Sequence, residues 1–383
     1  MVLTITSNGV LHKMVRVAIA TDGIFPISIG GIQKYSLELI KELNEKSDLE
    51  ITVLHPNNQI LFSEFQNVKE VFIPYPQNNR PYIFKCWQYS KKIGDYLLNN
   101  ERFDVVYAQG LTVWNRIKKL KPKVISNFHG LEPFQTIGLV NKIKVSPLKW
   151  AIQYVIKNSD VTINEGGLLK DLLIKQNLKS TRIVRIPNAV SLRDGFLLKQ
   201  KKDNAQINLL VICRIAHNKG IPLLLEAYEK LIKASSQNKF ILNIVGDGPL
   251  RNQLEIQYAS NNIIFHGRVD EVEKEKLLQS ADLFVFPTLF EGMPTAVLEA
   301  MSVGLPVIAT KVGGIPDLVD ITNGFLIEKN SILELTNAII EFSKLDIKRR
   351  VEMSEKSLEK VKLFSWPVVG DLHESLFRNL LKT

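Results

Sequence analysis

The sequence predicts an α/β chain made of two doubly wound domains, each a parallel sheet covered by helices on both faces. Short apolar runs alternate with amphipathic stretches along all 383 residues, and the alternation restarts in the second half. Continuous apolar strands separated by helices are typical of parallel sheets. The length suits two domains with sizeable cores. With 45% hydrophobic and 23% charged residues, disordered, collagenous and disulfide-scaffold classes are excluded.

In the first half, Val15–Thr21 predicts a buried strand, and residues 32–46 carry apolar side chains at helical spacing. Five more strand-like runs follow, most of them separated by basic or amphipathic helical stretches. These predicted strands are Ile51–His55, Val71–Pro74, Val105–Ala108, Val124–Phe128 and Val161–Asn164. We expect an amino-terminal domain over residues 1–190.

The second half repeats the pattern and predicts a carboxy-terminal domain over residues 191–363. Its predicted strands are Leu209–Ile212, Ile241–Val245, Ile263–His266, Leu283–Pro287, Val307–Thr310 and Gly324–Ile327. Its predicted helices are Pro222–Ala234, Leu250–Ala259, Val272–Ser280, Pro294–Val303 and Ile332–Lys344. The polar, Lys-rich stretch Val190–Gln206 marks the junction. A last amphipathic helix, over about 364–383, could pack on its own domain or cross back to the first.

The net charge of +10 is concentrated in the first half, where residues 80–157 hold 14 basic and 4 acidic side chains. Aromatic residues are interleaved with these charges, and 81–98 and 150–156 could each form a basic, amphipathic helix. A solvated face is one interpretation, and a surface for anionic lipid or a phosphate-bearing acceptor is the other. Nucleic acid is not expected as a partner, because no motif for it is present.

Targeting features point to a cytoplasmic protein, and a peripheral position at the inner face of the cell membrane stays open. The sequence has no run of 18 apolar residues and no basic start followed by a long apolar stretch. Its two cysteines, Cys86 and Cys213, lie too far apart in sequence to indicate a framework of disulfides, which suits a reducing compartment.

Cationic and glycine-rich turns follow the first two strands of the second domain. Arg214 comes directly after a strand, and Lys219-Gly220 precedes a helix. Two cations at the carboxyl end of such a strand suit a pyrophosphate, although surface charge alone could place them there. The next strand ends in the turn Gly246-Asp247-Gly248-Pro249, which is either structural only or lines a nucleotide base.

The strongest feature is the segment from Phe290 to Ala300, which reads Phe-Glu-Gly-Met-Pro-Thr-Ala-Val-Leu-Glu-Ala. A helix beginning at Pro294 points its amides and positive dipole at an anion. Two carboxylates beside an anion, Glu291 and Glu299, are unfavourable unless each accepts hydrogen bonds, and sugar hydroxyls are natural donors. The run Lys311–Pro316 repeats this order of strand, glycine loop and Pro-led helix.

The first domain has a glycine loop of its own between its first strand and first helix. The loop runs from Thr21 to Gly31 and ends in the pair Gly30-Gly31. Glycines allow close backbone approach, and the helix start offers unpaired amides to a phosphate. The spacing is not that of a dinucleotide-binding fingerprint.

Taken with their order, these motifs resemble those of the retaining glycosyltransferases of family 4, the group 1 family. The resemblance covers nearly the whole chain and is strongest over Leu209–Ile327. It includes the Glu-x₇-Glu pair, Arg214 with Lys219, the Gly246–Pro249 turn, Pro187–Val190 and Gly30-Gly31. It implies the GT-B fold, in which two Rossmann-like domains face a central cleft.

The resemblance also implies residue roles. Arg214 and Lys219 hold the donor diphosphate, Glu291 contacts donor-sugar hydroxyls, and Glu299 binds the ribose. His129, at the end of a first-domain strand, matches the family's active-site histidine. The expected catalytic residues are therefore His129, Arg214, Lys219 and Glu291. The expected donor-binding residues are Gly30, Gly31, Arg214, Lys219, Gly246, Asp247, Gly292, Met293, Pro294, Thr295 and Glu299.

Two positions depart from the family pattern. Cys213 stands where many relatives have Gly or Ser, which we expect to be tolerated. Asn164-Glu165-Gly166 is unlike the Ser expected after a late strand of the first domain, and this difference concerns the acceptor side.

The implied reaction is transfer of a sugar from a nucleotide-diphosphate sugar to an acceptor hydroxyl, with retention at the anomeric carbon. Cations and helix starts would neutralise the leaving group, so neither a metal nor a cofactor is expected. A glycan or lipid-linked acceptor is favoured, and a soluble acceptor stays open. A sugar-nucleotide epimerase of the same fold and a non-catalytic partner of another transferase are the alternatives.

Overall fold

The computed structural model describes residues 3–5, 11–46, 48–100, 102–136, 139–175, 182–192, 206–234 and 240–382. Its contacts divide the chain into two compact units. Unit one holds the described residues up to Glu165, then Leu169–Asn188 and the segment from Trp366. Unit two holds Gly166–Leu168 and Ala189–Ser365. Most of the predicted junction, residues 193–205, lies outside the described residues.

Unit one is built on a seven-stranded parallel sheet. The described strands of unit one, in chain order, are β1 (Leu3–Ile5), β2 (Leu11–Lys13), β3 (Val15–Ala20), β4 (Leu49–His55), β5 (Val68–Phe72), β6 (Val105–Gln109), β7 (Lys123–Asn127), β8 (Val161–Asn164) and β9 (Ile183–Arg185). The strands β1 and β2 form a separate antiparallel pair. The large sheet has the order β5-β4-β3-β6-β7-β8-β9, which is the Rossmann order with one strand added.

Helices cover this sheet and bury a core of aliphatic and aromatic side chains. They are α1 (Gly31–Asn44), α2 (Tyr82–Asn99), α3 (Glu132–Gln135), α4 (Leu139–Asn158) and α5 (Leu169–Ile174). The strands β3 and β6 are buried on both faces, as central parallel strands are. On α1, the fully buried Leu39, Ile40 and Leu43 fall at helical spacing, so one face of this helix lies in the core.

Unit two has a six-stranded parallel sheet with the order β12-β11-β10-β13-β14-β15, again the Rossmann order. Its strands are β10 (Ile207–Ile212), β11 (Phe240–Val245), β12 (Ile263–Gly267), β13 (Leu283–Phe286), β14 (Val307–Thr310) and β15 (Gly324–Ile327). Its helices are α6 (Ile221–Ala234), α7 (Arg251–Tyr258), α8 (Glu271–Ser280), α9 (Thr295–Ser302), α10 (Ile332–Lys344) and α11 (Ile347–Val361).

The predicted pair of doubly wound parallel sheets is confirmed, and each predicted strand is present with ends shifted by a few residues. Six of the described strands and helices were not predicted: β1, β2, β9, α3, α5 and α11. The three strands have three residues each, too few to show a periodic pattern. The helix α11 is rich in charged residues and buries a thin stripe of small and medium side chains, including Ser354 and Ser357.

The last helix, α12 (Trp366–Leu380), belongs to unit one and packs on α1. Lys46 Nζ lies 2.5 Å from an Asp371 carboxylate oxygen, and Arg378 Nη2 lies 3.2 Å from Asp48 Oδ2. Gly370 lies on the packed face, where a Cβ would come within 2.3 Å of the Glu42 side chain. A small residue there allows the helices to lie close together.

His373 anchors α12 in the core of unit one. Its Nδ1 lies 2.8 Å from the Val369 carbonyl oxygen and must donate to it, so Nε2 carries the lone pair. The hydroxyls of Tyr35 and Tyr107 lie 3.1 and 3.3 Å from Nε2 and can donate to it. The ring is fully buried. Burial lowers the pKa of His373 from 6.5 to about 4, so the neutral form is the native one.

This burial predicts acid sensitivity in the docking of α12. Because the folded pKa is depressed, the contribution of His373 is fully present above about pH 6.5 and is lost as the pH falls towards about 4. The free energy of unfolding should drop by up to about 3 kcal/mol over that window. Hydrogen exchange of α12 amides at pH 7.5 and 5 would measure this drop in the free energy of unfolding.

The His373→Gln variant should be less stable at pH 7.5 and show a smaller pH effect. An equal pH effect in both proteins would contradict the prediction.

Candidate functional site

The cations predicted to hold a pyrophosphate follow β10, the central strand at which the order of the unit-two sheet reverses. Arg214 is exposed two residues after the end of this strand. Lys219 ends a short 3-10 helix and is followed by Gly220 at φ +70°. A Cβ on Gly220 would lie 1.9 Å from the Pro287 carbonyl oxygen, so the turn is pressed against the end of β13. In open parallel sheets this reversal point is where ligands bind.

Lys219 and Glu291 are brought together at this point. The Lys219 ammonium lies 2.5 Å from Oε1 of Glu291, and both side chains are largely buried. The hydroxyl of the fully buried Thr288 lies 3.0 Å from the same oxygen. Because a lysine ammonium has three donors and a carboxylate several acceptor sites, each partner keeps capacity for a ligand. The pair offers positive charge and a carboxylate side by side.

The backbone that carries Glu291 rests on the glycine loop Lys311–Pro316, which follows β14. Gly313 has φ +53°, and a Cβ there would lie 2.2 Å from the Glu291 carbonyl oxygen. The Gly314 amide donates to the Gly292 carbonyl at 2.6 Å. The run Lys311–Pro316 therefore supports the Glu291 loop by close backbone packing, which requires glycine.

The Gly246–Pro249 turn supports Arg214 in the same way. A Cβ on Gly246 would lie 1.9 Å from the Cys213 carbonyl oxygen. The Ile215 amide donates to the Asp247 carbonyl at 3.0 Å. These two predicted donor-binding residues thus hold the residues that flank Arg214. Burial raises the pKa of the Cys213 thiol to about 12, which favours its neutral form.

The helix α9 begins at Thr295, with Pro294 at its N-cap position and no side chain capping its first amides. These amides are left for an anion. The Met293 side chain is 2% exposed and belongs to the core, so only its backbone can meet a ligand. One turn into α9, Glu299 Oε1 lies 3.0 Å from the Lys274 ammonium. Glu299 therefore has a cationic partner of its own.

In unit one, Gly30 and Gly31 form the start of α1, after β3. Gly30 is the N-cap residue in an extended conformation, and no side chain caps the helix. A Cβ on Gly31 would meet open space, with nothing within 4 Å. Unit one thus offers uncapped amides on an open surface at its own reversal point.

His129 follows β7 and has a left-handed backbone, at φ +51°. Such a conformation is uncommon for a residue with a Cβ and is held here by a hydrogen bond from its amide to Asn127 Oδ1 at 3.1 Å. Its Nδ1 lies 2.8 Å from Glu165 Oε1, and the two side chains are 6% and 3% exposed. The ring meets Tyr35 edge to face at 4.5 Å. Its Nε2 makes no hydrogen bond to the described residues.

Three residues of these sites were not predicted in any role. Glu165 comes directly after β8, which lies next to β7 in the sheet. Its position at the carboxyl end of a parallel strand is typical of a ligand-binding residue. In the sequence it stands out only as a departure from the family pattern. Thr288 follows β13 and gave a weaker signal of the same kind. Lys274 lies on α8 among other charged residues, and nothing in the sequence distinguished it.

No helix in the described part of the chain combines the length and the apolarity needed to cross a bilayer. The basic stretch folds into β6, β7 and helices α2–α4 of unit one. Trp150, on α4, is 59% exposed, and Trp87, on α2, is 38% exposed.

Two family models match most of the chain. The model described as Glycosyltransferase Family 4 matches residues 29–194, and the model described as Glycosyl transferases group 1 matches residues 206–344. The first match lies largely in unit one, and the second lies in unit two.

Relatives and solved structures agree with these matches. The chain is 28% identical over 362 residues to an uncharacterized glycosyltransferase of Methanocaldococcus jannaschii, which covers 92% of this chain and 95% of that protein. It is 27% identical to the UDP-Gal:alpha-D-GlcNAc-diphosphoundecaprenol alpha-1,3-galactosyltransferase of Escherichia coli, over 85% of this chain and 87% of that one. Sucrose-phosphate synthase from Thermosynechococcus elongatus has the same fold, with a TM-score of 0.78 at 17% identity, covering 96% and 99% of the two chains. The chain therefore belongs to the group 1 glycosyltransferases of family 4 and is a glycosyltransferase with the GT-B fold.

Proposed function

We propose that the chain transfers a sugar from a nucleotide-diphosphate sugar to a hydroxyl of a lipid-linked or cell-surface glycan acceptor, with retention at the anomeric carbon and without a metal. The observation that carries the donor side is the Lys219–Glu291 pair at the reversal point of the unit-two sheet. It sets a cation for phosphate beside a carboxylate for sugar hydroxyls.

On the donor side, unit two binds the nucleotide sugar. The exposed Arg214 and the Lys219 ammonium neutralise the charge that develops on the departing diphosphate. Glu291 accepts hydrogen bonds from hydroxyls of the sugar, and the first amides of α9 meet the phosphate or sugar. Glu299 accepts from the ribose hydroxyls, while Lys274 balances its charge. The carboxylates are thus not left as uncompensated charges near the phosphate.

On the acceptor side, unit one supplies His129 and the Gly30-Gly31 amides. The Nε2 atom of His129 is buried and makes no hydrogen bond to the described residues, and this is the ring nitrogen that we assign to the acceptor hydroxyl. The resemblance to the retaining family favours attack on the same face from which the diphosphate leaves. In that reaction the acceptor hydroxyl loses its proton to an oxygen of the diphosphate as the new glycosidic bond forms and the sugar–phosphate bond breaks.

The acceptor class is supported by charge and by a relative. Residues 80–157 carry 14 basic and 4 acidic side chains, which suits an anionic lipid surface. The name of the Escherichia coli relative states that it acts on a diphosphoundecaprenol-linked sugar. We accordingly propose a cytoplasmic enzyme that works at the inner face of the cell membrane.

The first test is a thermal-shift panel of UDP-, GDP- and ADP-sugars with the full chain. One nucleotide series should stabilise the protein, because a ligand bound only to the folded state raises the melting temperature. The stabilising donor is then incubated with a glycosyl-diphosphopolyprenol acceptor, and the anomeric configuration of the product is read by NMR. We expect the donor's configuration in the product and equal rates with and without EDTA.

Each part of the proposal has its own contrary result. An inverted product would remove retention, and loss of rate in EDTA would remove metal independence. Formation of an isomerised donor with no glycoside would favour the epimerase alternative. An absence of any nucleotide-sugar binding would leave the non-catalytic alternative.

A further inference from the structure

Unit one contains an aromatic groove whose lining residues have no role in the site described above. It is a cavity of about 520 Å³ beside α2 and α4. Five aromatic side chains line it: Phe84, Trp87, Trp114, Trp150 and Tyr154. The chain has four tryptophans in all, so three of them lie at this one place. Aromatic side chains concentrated on a surface mark a binding site more often than a structural need.

The rings form two contacting groups that together line the groove. Trp150 meets Trp114 edge to face at 6.0 Å and lies 5.8 Å from Tyr154. Phe84 stacks on Trp87 at 5.8 Å. Since Trp150 and Trp87 remain 59% and 38% exposed, the lining is packed on one side only. The other side is open to an apolar ligand.

Cations surround these rings. The Arg80 guanidinium lies 4.4 Å from the centre of the Phe84 ring, and the Lys118 ammonium lies 5.4 Å from that of Tyr154. Arg116 lines the groove itself and is held by Asp95 at 3.0 Å. An apolar groove with a cationic rim is complementary to an amphiphile that has a hydrocarbon chain and an anionic head.

A glycan chain is the competing occupant, because sugars also stack on aromatic rings. The many hydroxyls of a glycan would need hydrogen-bonding partners. Among the lining residues, Asn115 and Arg116 are the two whose side chains are neither aromatic nor aliphatic. Neutral glycans would lack the charge attraction that Arg80 and Lys118 offer to an anionic head group. The lining and the charge together favour the lipid.

We propose that this groove binds the hydrocarbon chain of a polyprenyl-phosphate-linked acceptor, with its phosphates held by the cationic rim. The inference rests on the proposed function, because it names the part of the acceptor that unit one recognises. Tryptophans at the boundary between an apolar and a charged environment are the side chains typical of lipid-facing interfaces.

The test uses farnesyl monophosphate as the probe and the full chain, with binding followed by tryptophan fluorescence and calorimetry. We expect saturable binding that weakens about tenfold or more in the Trp87→Ala/Trp150→Ala variant. The Lys118→Glu variant and the uncharged probe farnesol should each bind about fivefold more weakly. Phe72→Ala, which removes a 45% exposed aromatic ring on β5, is the matched control and should bind like the wild type.

Nucleotide-sugar binding measured on the same samples separates this inference from the proposed function. If the wild type binds a nucleotide sugar but not farnesyl monophosphate, the groove inference is wrong and the donor proposal stands. Equal binding by the wild type and the double-tryptophan variant overturns it, as does displacement of the probe by maltoheptaose. Farnesyl monophosphate binding without nucleotide-sugar binding supports the groove and removes the proposed reaction.

Discussion

Replacement of Glu291 by Gln is expected to lower kcat for glycosyl transfer by about 10²–10³-fold, with nucleotide affinity nearly unchanged. Gln keeps the size of the side chain but removes the charge that Lys219 and Thr288 approach at 2.5 and 3.0 Å. The carboxylate is proposed to contact only the sugar, so its loss should affect the reacting part of the donor and not the nucleoside. Transfer kinetics and calorimetry with the nucleoside diphosphate measure the two quantities.

A matched control separates this effect from a general loss of charge. Glu341 also pairs with a lysine, Lys344 at 3.1 Å, but it lies exposed on α10. Such exposed pairs contribute little to stability, so Glu341→Gln should retain wild-type transfer. Near-normal turnover by a folded Glu291→Gln protein would show that the role assigned to this carboxylate is wrong.

Replacement of the cations is expected to lower nucleotide affinity as well as transfer, unlike replacement of Glu291. Because Arg214 and Lys219 are proposed to hold the diphosphate, Arg214→Ala and Lys219→Met should weaken nucleoside-diphosphate binding as well as transfer. The Lys219→Met/Glu291→Gln double variant should lose less than the product of the two single losses, because the residues are in contact.

The donor-side residues were predictable from sequence because they lie on short turns that follow apolar strands. The strand β10 leads to Arg214, and β13 leads to Glu291 within five residues of its end. The parallel order of the sheet then brings the two turns together. Strand patterns and topology therefore determine this part of the site, and few long-range details are needed.

Other features depend on contacts that no local pattern shows. Lys274 meets Glu299 across two helices, and His373 reaches the Tyr35 hydroxyl from a helix more than 300 residues away. The aromatic groove needs Trp114 from the loop after β6 together with side chains of α2 and α4, which are far apart in sequence. The residues were visible in the sequence as basic and aromatic, but their convergence on one cavity was not.

Glu165 is the residue for which the structure changes the interpretation most, and it leads to the second large expected effect. Its carboxylate lies 2.8 Å from Nδ1 of His129, in a place where both side chains are buried. A carboxylate at this distance favours a proton on Nδ1, which leaves the lone pair of the ring on Nε2. Glu165→Gln should therefore lower kcat by about 10–100-fold, with unchanged affinity for the nucleotide sugar.

Unit one supplies a control of the same chemistry away from the site. Glu70 lies 3.1 Å from Nε2 of His55, and this pair is also buried. Both Glu→Gln variants should lose stability, by about 1–3 kcal/mol, but only Glu165→Gln should lose turnover. In a His129→Gln background, Glu165→Gln should add no further loss of kcat, since it acts through the histidine. A full additional loss in that background would mean that Glu165 contacts the substrate itself, and equal losses of turnover at Glu70 and Glu165 would reduce its role to folding.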